Sequence, residues 1–382
     1  MVNERSAGGL AVRAVELVEV ALPLVRPFRT SFGEERDKRA ILVRVEGRGG
    51  GADVEGWGEC AASGDPFYSA EWLNGAWETL ERYLCPAVVA AGTVDEPDDM
   101  AARMGFVRGH PMAKAALEAA VLDAWLRARG ERLAAYLGTA RERIECGVSV
   151  GIAPTVEEML EEITGYLARG YRRVKLKIEP GRDVAVVRAV RDALPDVALS
   201  VDANAAYQLT DTALFEALDE LDLVMIEQPL GHDDLLEHSQ LQARIRTPIC
   251  LDESIRSAHD AELAIRLEAC RIINIKPGRV GGLLEAKRVH DVALGHGIPV
   301  WIGGMLETGV GRAPNVALAA LPGVTMPGDT SASDRYFPED LTQPFEVDAD
   351  GTMAVPSGPG IGVAPDPDRL ARHSARNATI AP

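Results

Sequence analysis

Five ionisable residues close short apolar runs in the middle of the chain: Lys177, Asp202, Glu227, Asp252 and Lys276. Their separations are 25, 25, 25 and 24 residues, so each charge falls at the same point of a repeating unit. Three consecutive carboxylates aimed at one place repel each other unless a cation stands among them. Oxygen donors without His or Cys suit a hard dication, Mg²⁺ first and Mn²⁺ second. The competing reading is solvated loop charge, or salt bridges to the flanking lysines.

A lysine beside a dication and a second ammonium has its pKa lowered, because each positive neighbour disfavours the charged form. Such an amine removes protons at neutral pH. A hydrogen α to a carboxylate leaves only if the enolate is stabilised as it forms, which a dication on the carboxylate oxygens supplies. Lys177 and Lys276, on the second and sixth runs, are expected roughly across the site from each other. That suits racemisation, or proton removal with the second lysine as an electrostatic partner. Lys175 shares a strand face with Lys177 and adds positive charge beside it.

The elements that must hold these groups repeat too. Apolar, β-branched runs fall at 147–152, 173–178, 197–204, 223–229, 248–254, 272–278, 298–304 and 323–329. Between them, 183–194, 211–221, 234–246, 259–267 and 283–294 carry apolar residues at helical spacing, several opened by an Asp that can cap. Runs apolar on both faces, each followed by a helix, predict a parallel sheet covered by helices. Eight of them predict a closed (β/α)₈-type barrel with its chemistry at the carboxyl ends of the strands. The first 140 or so residues differ: strands at 11–22 and 40–46, a Gly49-Gly50-Gly51 connection, and helices at 70–84 and 112–128 predict an α+β unit. The tail past Phe345 is rich in Pro, Gly and Asp, and its end is expected to be disordered.

Composition bounds the partners. Across 382 residues, 40 Lys and Arg against 58 Asp and Glu give a net charge of −18, a poor match for nucleic acid or anionic membrane. No apolar run approaches the length needed to cross a bilayer, and residues 1–10 do not read as a signal peptide. Five scattered cysteines without a CxxC read as buried thiols, so a cytoplasmic protein is expected.

Taken together, Lys175-x-Lys177, Asp202-x-Asn204, Glu227-Gln228-Pro229, Asp252-Glu253-Ser254 and Lys276-Pro277-Gly278 resemble the muconate-lactonizing subgroup of the enolase superfamily, over nearly the whole chain. The resemblance implies an α/β fold: a modified (β/α)₇β TIM-type barrel over residues 141–345, under an α+β capping domain of residues 1–140. Residues 346–382 are then expected to return to the cap. It also implies catalytic roles for Lys177 and Lys276, and Mg²⁺ held by Asp202, Glu227 and Asp252. Substrate contacts would fall to Lys175, Asn204, Ser149, Gly304, Met305, Phe28 and Tyr68. Glu253 would support the site, and Arg279 would tune Lys276 or lie on the surface. Cap loops near 26–33 and 58–68 would close the mouth, with Phe32 beside Phe28 and Tyr68, although each ring could equally serve ordinary packing between the domains. The stretches 58–60 with 65–69, 303–309, and 326–329 running on to 333–337 are similar to o-succinylbenzoate synthases of the kind that also racemise N-acylamino acids. They imply a small-molecule carboxylate substrate and a homo-oligomer.

Rival readings fail on particular residues. A mandelate-racemase-like site needs a His-Asp pair where Lys276 stands, and His290-Asp291 falls mid-helix as a packed or solvated histidine. A dipeptide epimerase needs Asp-x-Asp where the chain has Asp329-Thr330-Ser331. N-Succinylamino acid racemisation as the main role and muconate-type cycloisomerisation use the same base and metal. A Schiff-base aldolase needs a strand-end lysine but not three acids in a row. A non-catalytic binding barrel needs neither.

Overall fold

A computed structural model of the chain describes residues 8–382, so the part of the signal-peptide reading that falls on residues 1–7 lies outside the described residues. Three long antiparallel strands open the capping domain: β1 (Leu10–Thr30), β2 (Gly33–Gly49) and β3 (Ala52–Cys60). Their apolar residues meet in pairs such as Val15 with Val45 and Leu17 with Val43. On the other face Glu16 meets Arg44, at 3.2 Å. Gly50 and Gly51 make the β2–β3 turn with φ of 58° and 85°, a conformation that favours glycine. The alanine-rich helix α1 (Pro111–Arg127) lies directly on β3. A Cβ on Gly58 would stand 2.0 Å from the Ala116 carbonyl oxygen, so glycine in the strand is what admits the helix. The helix expected at 70–84 is instead Leu73–Thr79, a π-helical turn over Leu80–Leu84, and a further helix over Cys85–Ala91.

The second part is a parallel sheet of seven strands in sequence order: β4 (Gly147–Val150), β5 (Arg173–Lys177), β6 (Leu199–Asp202), β7 (Ile226–Glu227), β8 (Ile249–Leu251), β9 (Ile272–Ile275) and β10 (Val300–Ile302). The eighth apolar run forms no strand. It touches both edges of the sheet through single parallel bridges, Val324 to Val300 and Gly328 to Cys146, and so spans the gap between β4 and β10. Pro327 within that run has no N–H to donate to a ladder.

Helices follow the strands: α2 (Val156–Ala168), α3 (Val184–Ala193), α4 (Thr212–Asp219), α5 (Leu236–Gln242), α6 (Ala258–Arg266), α7 (Leu283–Gly295) and α8 (Gly309–Ala319). Asp183 caps α3 as expected, but Thr155 caps α2 and Ser257 caps α6, and Asp211 makes no side-chain cap on α4. The expected disorder at the end of the chain gives way to order. Ser374–Ile380 is a strand, β11, that pairs antiparallel with β1, because the edge of β1 offers unpaired backbone groups. All five cysteines are free and buried.

Cap and barrel meet through charge as well as apolar surface. Glu118 of α1 accepts the Leu284 backbone N–H at 3.1 Å, at the start of α7. Burial pushes its carboxyl up to about 7, against the pull of the Leu284 and Leu283 amides. The folded value exceeds the unfolded one near 4.5, so the folded state holds more protons between the two. Its contribution to stability is complete below the unfolded value and is lost as pH rises through about 7. At about 1.4 kcal/mol per pKa unit the loss is on the order of 3 kcal/mol. Glu118→Gln should therefore narrow the difference in melting temperature between pH 5 and pH 8; an unchanged difference would contradict this ionisation.

Candidate active site

Hydrogen-bond register brings the periodic charges together. Lys177 pairs with Asp202 across β5–β6, and Asp202 with Glu227 across β6–β7. Glu227 pairs with Cys250, which places Asp252 two residues beyond it at the same end of the sheet. A spacing of one βα unit in a parallel sheet thus becomes a row of neighbours. The three acids are essentially inaccessible to water.

Charge compensates charge in that row. The Lys177 ammonium donates to Asp202 Oδ2 at 2.6 Å and to Asn204 Oδ1 at 2.8 Å. Lys175 Nζ lies 2.7 Å from Glu227, 2.7 Å from Asp329 and 3.1 Å from Asp202. Lys276 Nζ donates to Asp252 Oδ2 at 2.7 Å and to the Tyr68 hydroxyl at 3.1 Å. Arg279 is paired with the other oxygen of Asp252, so it shares an acid with Lys276 and is buried rather than on the surface. Asn274 donates to Glu227 at 2.7 Å, and Asn204 to Glu253 at 3.1 Å. The salt bridges weighed against a metal site are therefore present.

These contacts set the protonation directions. Burial raises the Glu227 carboxyl, and neighbouring Asp202 raises it further. For Asp202 burial acts the same way, but Lys177 and Lys175 outweigh it and hold the carboxyl well below its usual range. Lys276, with no dication beside it, is pulled both ways. Burial does lower it, yet Tyr68 and the Glu253, Glu227 and Asp202 carboxylates prevail and hold it above its ordinary value.

The row opens on a cavity of about 430 Å³ whose walls include Lys175, Lys177, Asn204 and Lys276 from the barrel. Ser149, Gly304 and Met305 complete the barrel side, and Phe28, Phe32 and Tyr68 form part of the cap side. Phe32 and Tyr68 pack ring to ring at 5.8 Å. The Ser149 hydroxyl is buried without a hydrogen-bond partner. Glu253 and Arg279 stand behind the walls. His290 lies in α7, buried between Asp291 at 2.8 Å and the Pro322 carbonyl at 2.7 Å.

Several members of the site escaped the sequence reading. Asp329 had entered it only as half of a missing acid pair; in the structure it lines the cavity and binds Lys175 and, at 2.8 Å, Arg173. Arg173 is 1% exposed and stacks on Trp301 at 4.6 Å. One signal could have found it: Arg173, Lys175 and Lys177 alternate along one strand, so they share a face. The cap residue Glu59 and the barrel residue Glu307 fall in stretches that carry the resemblance but were given no role, since neither stands in a periodic position.

As placed, no three His, Cys, Asp or Glu side chains among the described residues are gathered closely enough to grip one ion, because the acids are turned toward the ammonium groups. The donor set nonetheless fits a hard dication. It is three buried carboxylates on adjacent strands, each ionised oxygen pair offering about four lone-pair sites. Of these, Asp202 uses three and Glu227 and Asp252 two each in the hydrogen bonds above, counting the Asn204 N–H on Asp202 and Lys175 twice-shared.

Comparison with known proteins bears on the fold and the family. The enolase C-terminal domain-like family model matches residues 158–369, and the mandelate racemase / muconate lactonizing enzyme N-terminal domain model matches residues 12–138. The chain is 54% identical to an N-succinylamino acid racemase of an Amycolatopsis species, covering 94% of this chain and 97% of that one. It is 48% identical to an o-succinylbenzoate synthase of Geobacillus stearothermophilus, covering 95% and 96%. The solved structure of an enolase superfamily member from Listeria innocua superposes with a TM-score of 0.91 at 40% identity, over 97% of this chain and 99% of that one.

If the three acids hold a dication, adding Mg²⁺ to chelator-treated protein should raise its melting temperature, since a ligand of the native state stabilises it. Glu227→Gln should lose most of that rise. An equal rise in the variant would place the ion elsewhere.

Proposed function

We propose a function for this chain, which belongs to the mandelate racemase / muconate lactonizing enzyme family of the enolase superfamily: α-proton abstraction from a carboxylate substrate through an enolate, as an o-succinylbenzoate synthase that also racemises N-succinylamino acids. The observation that carries the reading is that Lys177 and Lys276 open on one cavity from β5 and β9, each held by an acid of the trio. Asp202, Glu227 and Asp252 are the groups that would hold the divalent metal ion typical of the superfamily, with Mg²⁺ as our choice. When bound, that ion would supply positive charge where negative charge develops on the substrate carboxylate.

The chain's own residues do the rest. Asp202 and Asn204 aim the Lys177 amine into the cavity, where it takes the hydrogen α to the carboxylate. In the synthase reaction the substrate is a cyclohexadiene acid, and its ring hydroxyl leaves as water with the proton that Lys177 has taken, while the ring becomes aromatic. Lys276, aimed by Asp252 and Tyr68, lies over the other face and stabilises the enolate by its charge. In the racemase reaction one lysine removes the hydrogen and the other returns one from the opposite side. Phe28, Phe32 and Tyr68 keep water from the enolate. An epimerase of dipeptides would need a free acid for the amino terminus, and here Arg173 and Lys175 occupy Asp329. We place the enzyme in the cytoplasm, a reading supported by five free thiols; among the described residues no helix is long and apolar enough to cross a membrane.

Proton exchange in D₂O tests this directly. Lys177→Ala should lower both activities by about 10³-fold, within the usual range for removing a general base. Lys276→Ala should still exchange the α-hydrogen of one enantiomer of an N-succinylamino acid and not the other. Loss of exchange from both enantiomers in a folded variant would overturn the two-faced mechanism. Activity unaffected by chelator would overturn its metal dependence.

A further inference from the structure

Glu59 stands near the end of β3 in the cap, yet its hydrogen bonds reach into the barrel. Its carboxylate accepts the Thr308 backbone N–H at 3.1 Å, the Thr308 hydroxyl at 2.6 Å and the Gly311 N–H at 2.9 Å. Thr308 is the N-cap of α8, so an acid from one domain completes the cap of a helix in the other. The carboxylate is nearly buried and does not line the large cavity.

Each end of this link runs straight into a cavity wall. On the cap side, Cys60 and Ala61 follow, and the Lys38 ammonium holds the Ala61 carbonyl at 3.1 Å. The chain then forms the wall that carries Phe67 and Tyr68. On the barrel side, Thr308 follows the wall of Gly304, Met305 and Leu306. Glu307 pins that loop by accepting the Met305 N–H at 2.7 Å and the Asn315 side chain at 3.0 Å. Behind the loop lies a second cavity of about 40 Å³ with Glu59, Met305 and Glu307 in its lining, room into which the loop can yield if the link weakens.

We propose that Glu59 is a positioning residue that sets the spacing between the cap wall of Tyr68 and the barrel wall of Met305, and thereby the preference between the ring substrate and an open-chain N-succinylamino acid. The inference rests on the function proposed above. None of the hydrogen bonds of Glu59 reaches Lys177, Asp202, Glu227 or Asp252, so the link acts on shape and leaves the proton-transfer groups in place. The ring of the cyclohexadiene acid has no free torsion between its carboxylate and its succinyl arm with which to follow a shifted wall, whereas the open chain of an N-succinylamino acid rotates to follow it. A displacement near 1 Å is enough to cost about 10²-fold in a fitted site.

The test compares Glu59→Gln with Thr308→Val. The first keeps the size of the side chain but replaces one acceptor oxygen by a donor. The second removes the hydroxyl donor from the other end of the same bond at nearly constant volume. Both should lower kcat/KM for the synthase substrate at least about tenfold more than for an N-succinylamino acid, mainly through KM. The combined variant should fall short of the product of the two single effects, since they cut one link. The Mg²⁺-induced rise in melting temperature should match that of the unaltered protein. Equal losses in both activities, or an unchanged ratio in either folded variant, would overturn the inference. Should the unaltered protein catalyse neither reaction, the proposed function fails instead, a result visible before any variant is made.

Discussion

The barrel mouth must hold many charges out of water and keep their sum small. Isolated ions are expensive to bury, and only close, hydrogen-bonded partners offset that cost. Here Asp202, Glu227, Asp252, Glu253 and Asp329 face Arg173, Lys175, Lys177, Lys276 and Arg279, five against five, all buried. Each cation except Arg279 and Arg173 bears on the cavity itself, while those two brace acids from behind. On the proposed reading a dication enters this balanced set together with the carboxylate of the substrate, which offsets part of its positive charge. Lys175, shared among Asp202, Glu227 and Asp329, keeps an acid within reach if any one of them turns away.

The scaffold makes that balanced set possible by register. Parallel strands joined in sequence order place residues one βα unit apart side by side, and β5, β6 and β7 pair Lys177, Asp202 and Glu227 directly. Side chains two residues apart on β5 then stack Arg173, Lys175 and Lys177 from the interior toward the mouth. Trp301 on β10 supplies the ring over which Arg173 and Lys175 lie, at 4.6 and 4.8 Å. The gap between β4 and β10 is spanned by a run that carries Asp329, which explains why an irregular segment provides a principal acid of the site.

Cap and barrel depend on each other for the same cavity. Glycines in β3 let α1 approach until backbone meets backbone, and Glu118 and Glu59 then carry bonds from the cap to the starts of α7 and α8. Such acids satisfy helix termini that would otherwise be buried without partners. The wall carrying Tyr68 is thus fixed to the same frame as Lys276, to which Tyr68 is bonded.

Much of this was legible before any coordinates. The period of 25 residues, the oxygen-only acid trio and its flanking lysines follow from spacing alone, because βα units of equal length repeat both fold and chemistry. The family resemblance rested on motifs that stay contiguous in the chain. Other features depend on contacts between distant segments, which spacing cannot encode. The bridging role of 323–329, the strand formed by the chain end, the pairing of Arg173 with Asp329 and the reach of Glu59 to Thr308 are of this kind. The protonation direction of Lys276 belongs with them: it depends on how many acids surround one ammonium in three dimensions, and a linear sequence names the charges without saying which of them meet.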